Sequence, residues 1–98
     1  MKIEVETARM LAGLGNGQVW DGFEVVENRW HDEKRWTSVQ ELVVKGASGQ
    51  LYRAFYEQGL TENQDTSPFD EYSHGSGPVE FKAVLARPAT TYTYEDVA

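Results

Sequence analysis

Three runs of strand-forming residues, separated by turn signals, constrain the fold of this chain more than any other feature of its sequence. Residues 23–27, 36–44 and 51–56 are rich in the β-branched and aromatic side chains that strands favour. Five consecutive polar residues, 31–35, separate the first two runs, and a Gly-Ala-Ser-Gly turn at 46–49 separates the second from the third. Because short connections join antiparallel neighbours, this pattern predicts a three-stranded meander with a hairpin tip at 31–35.

Residues 79–85 show the clearest alternation in the chain. Apolar residues, Phe81 and Leu85 among them, alternate with the charged residues Glu80 and Lys82. A period of two is typical of a strand with one buried face, so we expect Phe81 and Leu85 both to be buried. Pro88 ends this strand, and the threonine-rich residues 90–94 predict a last strand at the edge of the sheet.

The N-terminal region predicts one short helix. Thr7 is a candidate N-cap for residues 8–12, and the glycines from Gly13 onward end the helical pattern. A helix this short is marginal in isolation, so we expect Met10, Leu11 and Leu14 to dock on the sheet.

With 98 residues the chain has the length of one ordinary domain, and we expect residues 1–98 to share a single core. The predicted fold class is α+β. A short N-terminal helix packs on an antiparallel sheet of four or five strands, with a long acidic loop before the penultimate strand.

The charge balance disfavours one class of function. Sixteen acidic side chains against nine basic ones give a net charge of −7, and phosphate backbones repel such a surface. We therefore expect no direct nucleic-acid binding, and attraction to a basic partner instead. The chain contains no cysteine and no apolar run of membrane-spanning length, which predicts a cytoplasmic protein without a membrane partner.

The sequence predicts neither a catalytic site, nor a metal site, nor a cofactor. The two histidines, His31 and His74, have acidic neighbours, but their spacing matches no ligand pattern. Glu41 and Glu57 lie in or beside apolar strands and are the candidates for a carboxylate of raised pKa. A position on the solvated face of a strand explains both more simply. We therefore expect a protein that is not an enzyme.

The acidic stretch between Glu57 and Glu80 contains no lysine or arginine. It is either a solvated loop or a binding surface, since long loops in compact domains are often functional. Its aromatic residues are either pinned to the core or available to a partner. The candidate partner-binding residues in this stretch are Glu62, Asp65, Phe69, Asp70, Glu71 and Tyr72.

The three tryptophans allow two interpretations. We expect Trp20 to pack in the core, because it lies between the helix and the first long strand. Trp30 and Trp36 flank the predicted hairpin tip, where they either pair across the strands or form an exposed patch with Arg29 and Arg35. In the second case Trp30 and Trp36 are partner-binding residues.

The chain resembles a group of small accessory proteins encoded by actinobacterial, mycobacterial-type, phages. The resemblance covers most of the chain and lies in residues 19–26, 51–53, 59–65, 67–69 and 79–81. It brings no activity and no catalytic residue that could be transferred to this chain.

What the resemblance implies is a context, the cytoplasm of an infected cell, where small phage proteins often bind and divert a host protein. The expected function is therefore a non-enzymatic accessory protein that binds and modulates a host protein, as a monomer or homodimer. The alternative is a nucleic-acid mimic whose carboxylates imitate phosphates and inhibit a host DNA-binding enzyme or defence system.

Overall fold

The structure is a computed structural model that describes residues 1–33, 37–59, 69, 78–87 and 93–97. The described residues form one helix and eight strands, three of which have only two residues. In chain order they are β1 (Lys2–Ile3), α1 (Val5–Gly13), β2 (Val19–Trp20), β3 (Phe23–Glu33), β4 (Thr37–Lys45), β5 (Leu51–Gly59), β6 (Val79–Glu80), β7 (Lys82–Arg87) and β8 (Thr93–Asp96).

All strand pairs among these residues are antiparallel. Six strands form one sheet in the order β2-β3-β4-β5-β7-β8, and β1 pairs with β6 in a separate two-stranded sheet. The predicted class, a short helix on an antiparallel sheet, is confirmed. The predicted count of four or five strands is too low, because β1 and β2 are two-residue strands that leave no periodic pattern and the strand predicted at 79–85 is divided into β6 and β7. Of residues 60–77, which make up most of the predicted acidic loop, only Phe69 is among the described residues.

The meander of β3, β4 and β5 is the centre of the sheet. β4 pairs with β5 over the full length of both strands, and β3 pairs with the other side of β4. The register of β3 shifts twice, between Val25 and Glu27 and between Trp30 and Asp32, so β3 contains two bulges. The second bulge lets β3 continue to Glu33, into the polar stretch predicted as the hairpin tip.

The helix differs from its prediction in its start and in its exposed side. It begins at Val5, with Glu4 at the N-cap position and no side-chain cap, so the predicted capping role of Thr7 is wrong. Leu11 is fully buried, as predicted, and Leu14 packs against the core. Met10 is 43% exposed, because the sheet covers only the side of α1 that carries Ala8 and Leu11.

The predicted strand at 79–85 is two strands joined by a kink at Phe81. Before the kink the chain pairs with the N-terminus, where the amide of Phe81 donates to the carbonyl of Met1 at 2.7 Å. After it the chain pairs with β5 and β8. Phe81 is fully buried, as predicted, but Leu85 is 54% exposed. Val84, whose side chain points to the face opposite Phe81, is buried there in a second cluster.

The six-stranded sheet buries apolar side chains on both faces. On the face that carries α1, Leu11 packs with Leu42, Val44, Phe81 and other buried residues in the main core. On the opposite face Val43, Val84 and Tyr94 form a smaller cluster. We call the sheet face that carries α1 the helix face and the opposite one the open face. Because β4 is buried on both faces, it is apolar at consecutive positions from Leu42 to Val44.

Candidate functional site

Two of the predicted partner-binding residues, Trp30 and Phe69, lie among the described residues. The other six lie outside them, namely Trp36, Glu62, Asp65, Asp70, Glu71 and Tyr72.

Phe69 belongs to the core. Its side chain is fully buried, and its ring centroid lies 5.1 Å from that of Tyr56 and 6.0 Å from that of Phe81. It has a φ of 60°, a left-handed conformation that costs a bulky residue about 1–2 kcal/mol. Burial of an aromatic side chain is worth enough to offset that cost. Phe69 is therefore not available to a partner, and its prediction as a partner-binding residue is wrong.

Trp30 is the most exposed aromatic side chain among the described residues, at 60%. It lies on the helix face, two residues farther along β3 toward the hairpin tip than Asn28. The side-chain amide of Asn28 donates to the carbonyl of Ala12 at the end of α1. The helix therefore stops short of Trp30. The residue directly opposite Trp30 on β4 is Gln40, and the predicted pairing with Trp36 lies outside the described residues. Exposure favours the other interpretation, an aromatic contact surface.

A second aromatic group lies behind Trp30 on the open face. Phe55 of β5 is 41% exposed, and its ring centroid is 4.7 Å from that of His31, which is also exposed. The guanidinium of Arg53 lies 5.1 Å from the Phe55 ring, within the range of a cation–π contact. We call Trp30, His31 and Phe55 the aromatic end of the sheet: Trp30 and His31 lie near the hairpin-tip end of β3, and Phe55, in the middle of β5, contacts His31.

Beside Phe55, a cluster of ion pairs joins the strands of the open face. Glu41 is buried and accepts from two arginines, from Nε of Arg29 at 2.6 Å and from Nη1 of Arg53 at 3.3 Å. Arg53 also donates to the carbonyl of Tyr94 at 2.7 Å and to the exposed carboxylate of Asp96 at 2.6 Å. The cluster fixes the base of the aromatic end by linking β3, β4, β5 and β8.

Glu41 was expected on a solvated strand face, and its burial corrects that prediction. Both of its carboxylate oxygens are engaged by guanidinium groups, which leaves neither free to act as a catalytic acid or base. Arg29 has a raised pKa: burial alone would lower it, but the hydrogen bond and the charge of Glu41 outweigh that effect. The carboxylate serves the structure by holding two arginines.

Tyr94 shows that the sheet is strongly curled. β8 and β3 are four steps apart in the sheet, about 19 Å at the usual strand spacing. The Tyr94 ring nevertheless lies 5.2 Å from the guanidinium of Arg29 on β3. β8 therefore folds back over the open face. Burial, and then the neighbouring Glu27 carboxylate, raise the pKa of the Tyr94 hydroxyl.

A cleft of about 240 Å³ opens where β7 leaves β5. Arg53, Phe55 and Val79 line it together with Ala54, Glu80, Lys82 and Asp96. Its two cations and two carboxylates balance in charge, and Arg53 and Asp96 already engage each other. The cleft therefore carries no net preference for a charged ligand.

In the described part of the chain, no group of three or more His, Asp or Glu side chains is placed to bind a metal ion. The ring of His31 contacts that of Phe55 in a tilted arrangement, and His74 lies outside the described residues.

Sequence reasoning missed two exposed aromatic residues. Phe55 is flanked by strand residues of both polar and apolar type, and no pattern marked it as exposed. Trp20, expected in the core, is 44% exposed. The signal that could have found it is Asp21-Gly22, a turn dipeptide that closes a hairpin between Trp20 and Phe23 and so places Trp20 on a short edge strand.

Comparison with known protein families, with curated proteins and with solved structures finds no match to this chain. In the part of the chain that the structure describes, no helix has the length and apolar character needed to cross a membrane.

Proposed function

We propose that this chain is a non-enzymatic accessory protein that binds and modulates another protein through its aromatic end. The observation that carries the proposal is Trp30, a large side chain left exposed beyond the end of α1 on β3, which pairs with β4 at this position. Exposed tryptophans on rigid supports are typical of binding hot spots, because they bury a large area at little cost in side-chain entropy.

The support under the aromatic end strengthens the proposal. Glu41, Arg29 and Arg53 link the three meander strands through short ion pairs, so the aromatic side chains project from a pre-organised surface. The resemblance to actinobacterial phage accessory proteins supports a host protein as the partner and the host cytoplasm as the location. The partner is expected to be basic around its contact site, since the chain carries a net charge of −7.

The acidic stretch remains the competing contact surface within the same function. Reversal of four of its carboxylates to lysine tests it directly; these are Glu62, Asp65, Asp70 and Glu71. Exposed charges contribute little to stability, so this variant is expected to fold.

The experiment is capture of partners from host lysate on the immobilised protein, quantified by mass spectrometry. Trp30→Ala is expected to weaken the captured interaction by about 2 kcal/mol, roughly 30-fold in Kd. Leu85→Ala removes an apolar side chain of similar exposure, 54% against 60% for Trp30, at the other end of the sheet and is the matched control. If Trp30→Ala recovers the partner as well as wild type and the four-lysine variant does not, the contact is at the acidic stretch and not at the aromatic end.

The nucleic-acid mimic is the second candidate, favoured by the excess of sixteen acidic over nine basic side chains. Salt separates the two functions. A mimic loses affinity steeply as salt rises, because its contact is made of exposed charges, whereas an aromatic contact does not. A steep loss that is insensitive to Trp30→Ala would favour the mimic.

A further inference from the structure

On the side of β7, the edge of β5 is paired over only part of its length. β5 has nine residues, and β7 pairs with three of them, Leu51, Tyr52 and Arg53. At Phe81 the chain changes partner, and the residues before it pair with β1 instead. Beyond Arg53, β5 therefore has no strand beside it among the described residues, although β4 pairs with its other edge along the whole strand.

The cleft of about 240 Å³ lies along this unpaired edge. Ala54 and Phe55, the first two residues beyond the pairing with β7, line it on the β5 side, and Val79 and Glu80 of β6 line it as well. The cleft is thus a gap between β5 and the β1–β6 pair. Its volume is below the about 300–1,000 Å³ of typical ligand pockets, so it suits a few residues of extended chain better than a cofactor.

The main chain of β5 offers hydrogen bonds to this gap. In an antiparallel strand the N–H and C=O of one residue point to the same edge, and successive residues alternate between the two edges. Either Ala54 or Phe55 therefore directs both groups toward the cleft. Among the described residues, neither main chain forms a hydrogen bond on this side. An unpaired edge of this kind is a template for the strand of another chain.

The side chains around the gap define what can enter it. On the helix face Ala54 and Val79 are buried members of the main core, so an entering chain meets an apolar wall there. On the open face the ring of Phe55 is 41% exposed. A segment with aliphatic side chains on one side and an aromatic side chain on the other matches both walls.

The remaining edges of the sheet are less suited to a further strand. β2 has only two residues and β8 only four. β3 contains two bulges, and short strands and bulges both limit pairing at an edge. The pairing of β5 with β4 has no register shift, so the main chain of β5 stays regular beyond Arg53.

We propose that the β5 gap, the cleft between residues 54–55 and 79–80, binds an extended segment of a partner protein as an additional strand beside β5. The main chain of the segment bonds to that of β5, its aliphatic side chains face Val79, and an aromatic side chain packs on Phe55. Recognition through the main chain needs no net charge, in agreement with the balanced charges of the cleft. The inference goes beyond the proposed function and does not rest on it, although Phe55 belongs to both surfaces.

The test uses the full chain and a seven-residue peptide in which valine alternates with threonine and phenylalanine stands at the centre. Two further peptides have the same side chains and carry N-methyl groups on alternate residues, one on the odd and one on the even residues. Each N-methyl series removes the N–H donors along one edge of the extended peptide. We expect the unmodified peptide to shift the NMR amide resonances of Ala54, Phe55 and Tyr56. At least one methylated peptide is expected to bind about 10-fold more weakly or worse, as for loss of several hydrogen bonds.

Phe55→Ala is expected to weaken binding of the unmodified peptide by about 2- to 10-fold, as for loss of an aromatic pair. Leu85→Ala removes an exposed apolar side chain of β7 that does not line the cleft, and is the matched control with unchanged binding. Circular dichroism checks that both variants fold, and the methylated peptides test the inference without any variant.

The inference is overturned if the unmodified peptide does not bind, or if both methylated peptides bind as well as the unmodified one. It is also overturned if the shifted amides lie in β2 or β8 rather than at residues 54–56. A dimer in sedimentation experiments that the peptide dissociates would make a second copy of this chain the occupant, and would contradict a separate partner. The experiment involves neither Trp30 nor a host protein, so its failure is distinguishable from failure of the proposed function.

Discussion

Glu41 is the residue on which the open face depends most. Its buried carboxylate holds Arg29 and Arg53 on the two neighbouring strands. Removal of one member of a buried ion pair leaves the other charge without compensation, which typically costs 3–5 kcal/mol. We expect Glu41→Ala to lower the free energy of unfolding by about that amount, measured by urea denaturation.

Asp96 provides the control, because it also bonds Arg53 but is exposed. Asp96→Asn is expected to cost at most about 1 kcal/mol, as for a surface ion pair. Equal costs for the two variants would mean that burial of Glu41 does not determine the strength of the cluster.

Single residues also show where sequence reasoning stops. Leu11 and Phe81 were correctly expected in the core, because helical and strand periodicity report which side of an element faces inward. Phe69 and Trp20 were wrongly assigned, the first as a partner contact and the second as core. Neither lies in a periodic segment, so their burial depends on tertiary contacts that no local pattern records.

At the scale of elements, the kink at Phe81 makes a sharp prediction about residues 79–85. Phe81→Ala removes a fully buried ring and is expected to cost about 3–5 kcal/mol of unfolding free energy. Leu85→Ala removes a side chain that is mostly exposed and is expected to cost about 0.5 kcal/mol or less. A strand with one face buried along its whole length, as the alternation predicts, would give both variants similar costs in denaturant melts.

The meander of β3, β4 and β5 was predictable from the sequence, whereas the bulges and the change of strand partner at Phe81 were not. Runs of strand formers between turn signals located β3, β4 and β5, and their antiparallel order followed from short connections. The bulges of β3 and the change of partner at Phe81 were not predictable, because both are set by how the sheet curls. The bulge between Trp30 and Asp32 matters for the site, since it places His31 against Phe55 on the open face.

At the scale of the whole molecule, two exposed tryptophans lie far apart: Trp20 on β2 pairs with the first residue of the long strand β3, and Trp30 lies near the other end of β3. The sequence predicted a partner-binding protein from composition and named Trp30 as one candidate. It could not show that Trp30 is left uncovered by α1 or that Phe55 lies behind it, because both depend on the register of the sheet. The candidate site is therefore a product of the fold rather than of a motif.

The central claim is that a partner contacts the aromatic end, and side-chain footprinting of the complex tests it most directly. Hydroxyl-radical labelling of the free and partner-bound protein, read by mass spectrometry, reports each exposed side chain separately. We expect oxidation of Trp30 and Phe55 to fall sharply on binding, while oxidation of Leu85 and Trp20, which are also exposed, stays unchanged. Protection confined to residues 61–77, with Trp30 and Phe55 oxidised as in the free protein, would contradict the account.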